Sequence, residues 1–77
     1  MNEKRLDAEI LQAHAAGVAA RLARLYRDAA DRAEARGETD RAGFYLTHAW
    51  VFALEAGDPL ADDLRARLVR QGRETER

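Results

Sequence analysis

From Ala42 to Ala56 the only strongly polar side chains are Thr47, His48 and Glu55. A glycine stands on each side of the run, in Arg36-Gly37 before it and Gly57-Asp58-Pro59 after it. A helix that is apolar nearly all round must be covered on several sides, so this segment is read as the central element of the fold. It spans about residues 40–56, with Thr39 as its N-cap and Asp40 in the first turn. Ala42, Leu46, Ala49, Ala53 and Ala56 make a seam of mostly small residues that lets a neighbouring helix approach closely. Phe44, Tyr45, Trp50, Val51, Phe52 and Leu54 occupy the other faces.

Two more helices flank it. Leu6, Ile10, His14, Val18, Leu22, Leu25, Ala29 and Ala33 recur every three or four residues, which marks one helical stripe over about 3–36. Asn2 serves as its N-cap, and Gly37 is placed at C′. Gly17 interrupts the run at a cost of about 1 kcal/mol relative to Ala, yet the stripe keeps its phase, so one long helix is expected. Gly57-Asp58-Pro59 supplies a C′ glycine, an N-cap aspartate and a first-position proline in succession. Such a tight turn sends a third helix, about 59–71, back antiparallel on the second. Leu60, Leu64 and Leu68, with Ala61, form its inner face. Asp62 and Asp63 near its start and Arg65, Arg67 and Arg70 toward its end match the helix dipole. Gly72 stops it, and residues 73–77 read as a polar tail on a single domain of residues 1–72. The fold class is therefore an all-α antiparallel three-helix bundle with a long first helix.

Composition agrees, with 17 alanines, one proline and five glycines among 77 residues. A chain this short buries only about 60% of its unfolded surface and generally needs a disulfide, a metal or oligomerisation. It has no cysteine, which closes the disulfide route and thiolate metal sites. Thirteen basic against 14 acidic residues give a net charge of −1, with signs interleaved, so neither a phosphate backbone nor a membrane surface is an expected partner. There is no apolar run long enough to span a bilayer, and the charged start is not a signal peptide. Twelve arginines against one lysine point to a GC-rich bacterial source, and a cytoplasmic protein is expected.

The helix lengths do not match. A first helix of 34 residues is about 51 Å long, while 17 residues of the second reach only about 26 Å. Residues 3–18 then overhang, and Leu6, Ile10, Leu11 and Val18 lack cover within the chain. Self-association as a homodimer supplies it. The competing reading is a bend at Gly17 that folds the overhang back into a four-helix monomer.

Tyr26, Ala29, Ala30 and Ala33, then Gly37, Ala42, Leu46 and Ala49, together resemble a tetratricopeptide helical hairpin over residues 26–54. Ala29 stands where that family prefers Leu and Ala33 where it prefers Tyr, and the second helix runs several residues long before Pro59. A solenoid of this type usually needs three or more repeats, so the likeness is to one hairpin and not to an array. The resemblance implies protein binding along the first helix, at the positions of Arg24, Arg27, Asp31 and Glu34. A solvated, mixed-charge helix face is the plainer reading of the same four residues.

The inventory for catalysis is thin. Serine and cysteine are absent, Lys4 is near the terminus, and Thr47 and His48 are adjacent helical residues that point about 100° apart. No catalytic, cofactor-binding or metal-binding residue is assigned, and no cofactor is expected. His14 and His48 have no partner at metal-ligand spacing and read as half-buried, hydrogen-bonded side chains. Four of five aromatics fall between Phe44 and Phe52. They read as core, with Trp50 the candidate for a surface that docks another protein. The expected function is a small non-enzymatic helical protein–protein interaction module that self-associates. The alternative is an antitoxin-like or transcription-associated regulator with DNA contact, opposed by Asp58, Asp62 and Asp63 where a recognition helix would meet phosphates.

Overall fold

The computed structural model describes residues 3–72, and their side chains from His14 to Gly72. It is an all-α bundle of three helices, α1 (Glu3–Ala35), α2 (Thr39–Ala56) and α3 (Leu60–Arg70), with α2 packed against both others. The Asn2 cap and the 73–77 tail lie outside the described residues. Helix α1 runs unbroken through Gly17, so the bend and the four-helix alternative do not occur. It sets the 54 Å long axis of the molecule. Among the described residues no helix is long and apolar enough to cross a membrane.

Both turns use the same closure. Gly37 (φ 76°) and Gly57 (φ 63°) are left-handed, a conformation that costs any side chain with a Cβ. The Glu38 N–H reaches back to the Ala33 carbonyl and Gly37 to Glu34, both at 2.9 Å. At the second turn Asp58 donates to Ala53 at 2.9 Å and Gly57 to Leu54 at 3.1 Å. These paired bonds satisfy carbonyls that the helix end leaves open, and they fix the reversal of direction. Pro59 already has helical angles, and the Asp58 Oδ1 accepts the Leu60 N–H at 2.9 Å, so the aspartate caps α3 from the turn.

One cap differs from expectation. Thr39 is the first residue of α2, and Glu38 is the N-cap, its carbonyl accepting the Ala42 N–H at 2.9 Å. The Glu38 carboxylate does not cap the backbone because Arg36 (3.9 Å) and Arg41 (3.4 Å) hold it.

The core is made of alanine. Ala19, Ala23, Ala30, Ala33, Ala42, Ala49, Ala53 and Ala61 are buried with Leu46, Leu64 and Leu68. Tyr26, Tyr45, Trp50, Phe52 and Leu60 pack against this cluster from its edges. Side chains this small let helix axes come close, toward the lower end of the usual range of about 8–10 Å. The seam on α2 is as expected except that Ala56 is only half-buried and Gly43 joins it.

Two expectations about faces are corrected. The stripe of α1 that meets α2 is Ala19, Ala23, Tyr26, Ala30 and Ala33; of the stripe read from the sequence Ala33 belongs to it, while Val18, Leu22, Leu25 and Ala29 lie about 100° round. Leu25 is 57% exposed in consequence. Likewise α2 is not covered on every side: Phe44, Val51 and Leu54 are exposed, because α1 and α3 together reach only its alanine and leucine faces. In both helices close approach favours the smaller side chains over the more hydrophobic ones.

Tight alanine packing makes added volume costly. Ala49→Leu should lower the stability measured by urea unfolding by about 1–3 kcal/mol, through overpacking. The same change at exposed Ala66 on α3 should stay within about 0.5 kcal/mol.

Candidate interaction surface

The mixed-charge stripe of α1 is engaged inside the chain. Arg24 Nη1 donates to Asp58 Oδ2 at 2.7 Å and to the Ala20 carbonyl at 3.1 Å. Arg67 of α3 bridges Asp31 (2.9 Å) and Glu34, and Gln71 Nε2 reaches the second Glu34 oxygen at 3.4 Å. Arg27 lies 3.7 Å from Asp28. So Arg24, Asp31 and Glu34 tie α1 to α3 and to the turn before it, and Arg27 alone of the four has no contact of this kind. Sequence reasoning assigned Arg67 only to the helix dipole. The one available signal was Asp31 and Glu34, two carboxylates at i, i+3 that present a single face to a cation.

Asp58 accepts from both Arg24 and the Leu60 N–H. The Arg24 hydrogen bond first, and the Leu60 N–H second, hold its pKa below the ordinary value, against a smaller opposing effect of desolvation.

Trp50 packs half-buried against the core. The remaining aromatics make one chain of contacts. Tyr26 of α1 stacks on His48 (5.3 Å between ring centres) and Phe52 (5.6 Å), and lies 6.1 Å from Tyr45. Phe44 covers the outer side of His48 at 4.3 Å. Thr47 Oγ1 donates to the Gly43 carbonyl and His48 Nδ1 bonds the Phe44 carbonyl, both at 2.9 Å, so each serves its own helix and not the other. His48 is half-buried as expected, whereas His14 is exposed, because the face it shares with Val18 is not the one that meets α2.

What the fold leaves open is apolar. Val18 is 58% exposed, Leu25 57% and Phe44 57%, with Val51 and Leu54 beside them in the exposed class. Leu6, Ile10 and Leu11 stand on the N-terminal part of α1, and their side chains lie outside the described residues. The most basic hollow is small, about 160 Å³, between Ala29, Ala33 and Tyr45 and ringed by Arg32, Arg36 and Arg41. Glu38 stands within it and offsets two of the three cations. Among the described residues no cluster of His, Asp and Glu has the arrangement of a metal site. No family model, no curated protein and no solved structure matches the chain.

The depressed Asp58 pKa gives a directional test. A carboxyl that titrates lower in the folded than in the unfolded chain adds stability above its unfolded pKa. That contribution is lost as the pH falls through the folded value. The melting temperature should therefore drop on acidification below the ordinary aspartate range, and Asp58→Asn should both lower it at neutral pH and flatten that drop. Parallel acid curves for the two proteins would contradict the ion pair's role.

Proposed function

We propose that this chain is a non-enzymatic helical protein–protein interaction module that self-associates through the part of α1 extending past the hairpin, at Leu6, Ile10, Leu11 and Val18. The observation that carries the reading is the inversion of side-chain size between core and surface. Eight alanines and three leucines are buried, while five large apolar side chains stay exposed. A buried methyl group contributes only about 0.8 kcal/mol, so an alanine core in a chain this short leaves little margin over chain entropy. Further burial against a partner supplies the deficit.

Length supports the same reading. Helix α1 has 33 residues against 18 in α2, and among its described side chains, from His14 on, the first buried one is Ala19. Isolated helices of about 12–15 residues are marginal in water, so the first half of α1 needs a neighbour. A single net negative charge does not hold two copies apart. The tetratricopeptide likeness of residues 26–54 adds protein binding as the class of activity. A ligand on Arg24, Arg27, Asp31 and Glu34 would compete with Arg67 and Asp58 for them. The composition fits a bacterial cytoplasmic protein.

Light scattering behind a sizing column, over a hundredfold range of concentration, tests this. A species of about 17 kDa, twice the 8.6 kDa chain, is expected. Val18→Asp should convert it to monomer with its helix content across α2 and α3 intact. A monomer at every concentration would contradict the proposal.

A further inference from the structure

Helix α1 carries two seams of heptad spacing side by side. The first, Ala19, Ala23, Tyr26, Ala30 and Ala33, steps by 4, 3, 4 and 3 and faces α2. The second, Leu11, Ala15, Val18, Leu22, Leu25 and Ala29, steps by 4, 3, 4, 3 and 4. Of this second set Ala15, Val18 and Leu25 are exposed and Leu22 and Ala29 half-buried, while Leu11 belongs to it by spacing. Sustained 4-3 spacing of apolar residues is what a coiled-coil partner reads. Among the described residues Ala15, Val18 and Leu25 of this seam remain exposed.

We infer that the second seam pairs with the same seam of a second copy, antiparallel, about a two-fold axis at the level of Ala20. The inference rests on the self-association proposed above and adds its register and direction. In this register Leu11 meets Ala29 of the copy, Ala15 meets Leu25, and Val18 meets Leu22. Alanine meets leucine in the four outer layers and valine meets leucine in the two central ones, so no layer sets two alanines or two leucines against each other. Parallel pairing in register would set Ala15 on Ala15 and Leu25 on Leu25, alternating voids with crowding. Continued by the same spacing, the next layer sets Ala8 against Arg32 of the copy, and the one beyond it Lys4 against Arg36, two cations, so the apolar seam ends there. Leu6 and Ile10 fall outside its register, while Leu11 and Val18 lie within it.

The flanks agree. On one side His14, Arg21 and Asp28, all exposed, stand one residue before Ala15, Leu22 and Ala29. The antiparallel register brings His14 of one copy beside Asp28 of the other. It also sets Arg21 beside its own copy, at an exposed rim where screening keeps the repulsion small. On the other side Ala19 and Tyr26 already face α2, so that flank adjoins the aromatic side of α2 at Tyr45, His48 and Phe52. The first half of each α1 then lies along the hairpin of the other copy, and each overhang is covered. Six layers extend about 27 Å along the helix.

The chain has no cysteine, so introduced thiols report on the pairing without interference. Arg21→Cys and Asp28→Cys are both surface changes. In the antiparallel register the two copies of position 21 are nearly level, and those of position 28 are about 24 Å apart along the axis. A short bis-maleimide should join Arg21→Cys chains about tenfold faster, or more, than Asp28→Cys chains. Equal joining at both positions would establish a parallel pair, and joining at neither in a protein of dimeric mass would place the interface on another face. Either result overturns the register while leaving self-association standing. A monomeric mass for the unsubstituted chain overturns both. Independently, Leu25→Glu should raise the dimer dissociation constant about a hundredfold and change monomer melting little, since Leu25 is mostly exposed within the chain. An unchanged dissociation constant would exclude the seam.

Discussion

The close contact of α1 with α2 through alanine is the interaction on which the rest of the structure depends. Ala23, Ala30, Ala49 and Ala53 are fully buried, and Leu46 is buried with them in the same cluster. Close approach gains dispersion between backbones as well as methyl groups, and every such contact is small. The arrangement works through number and fit. It also dictates where the bulk goes, because a large side chain at the seam would force the axes apart. Tyr26, Tyr45, Trp50 and Phe52 therefore pack around the rim, and Val18, Leu25, Phe44, Val51 and Leu54 remain outside.

Helix α3 is held differently. Leu64 and Leu68 bury against α2, and toward α1 the link is made by Arg67, whose guanidinium joins Asp31 and Glu34. Arg24 and Asp58 make a second tie at the other end of the same gap. Exposed ion pairs each contribute only about 0–1 kcal/mol, so these ties set the position of α3 more than they stabilise it. One consequence is functional. On the charged face of α1 that a tetratricopeptide-like hairpin would offer to a ligand, Arg24, Asp31 and Glu34 are engaged from within the chain, while Val18, Leu25, Phe44, Val51 and Leu54 stay exposed.

The parts of the fold legible in the sequence are those set by local chemistry. Gly37 and Gly57 end helices because only glycine enters the left-handed region without cost. Asp58 followed by Pro59 starts one because a carboxylate can cap where a proline needs no donor. The continuity of α1 through Gly17 was legible too, from unbroken phase. What escaped was the choice between two adjacent faces. Val18, Leu22 and Leu25 are more hydrophobic than Ala19, Ala23 and Ala30, so transfer energy favours the first set for the core. Packing against a helix already lined with Ala42, Ala49 and Ala53 favours the second, a non-local condition that periodicity does not contain. Arg67 escaped for the same reason, since its partners lie more than thirty residues away. Glu38 displaced Thr39 as the cap of α2 because its carbonyl, not a hydroxyl, opens the helix.

That a second copy covers the first half of α1 is the central claim, and amide hydrogen exchange along this helix tests it most directly. If the copy covers it, amides from Leu11 to Val18 exchange slowly in concentrated protein and speed up on dilution below the dissociation constant. Amides from Ala19 to Ala33, protected by α2, change far less over the same range. Fast exchange from Leu11 to Val18 at every concentration would mean that nothing covers the overhang, and would contradict the account.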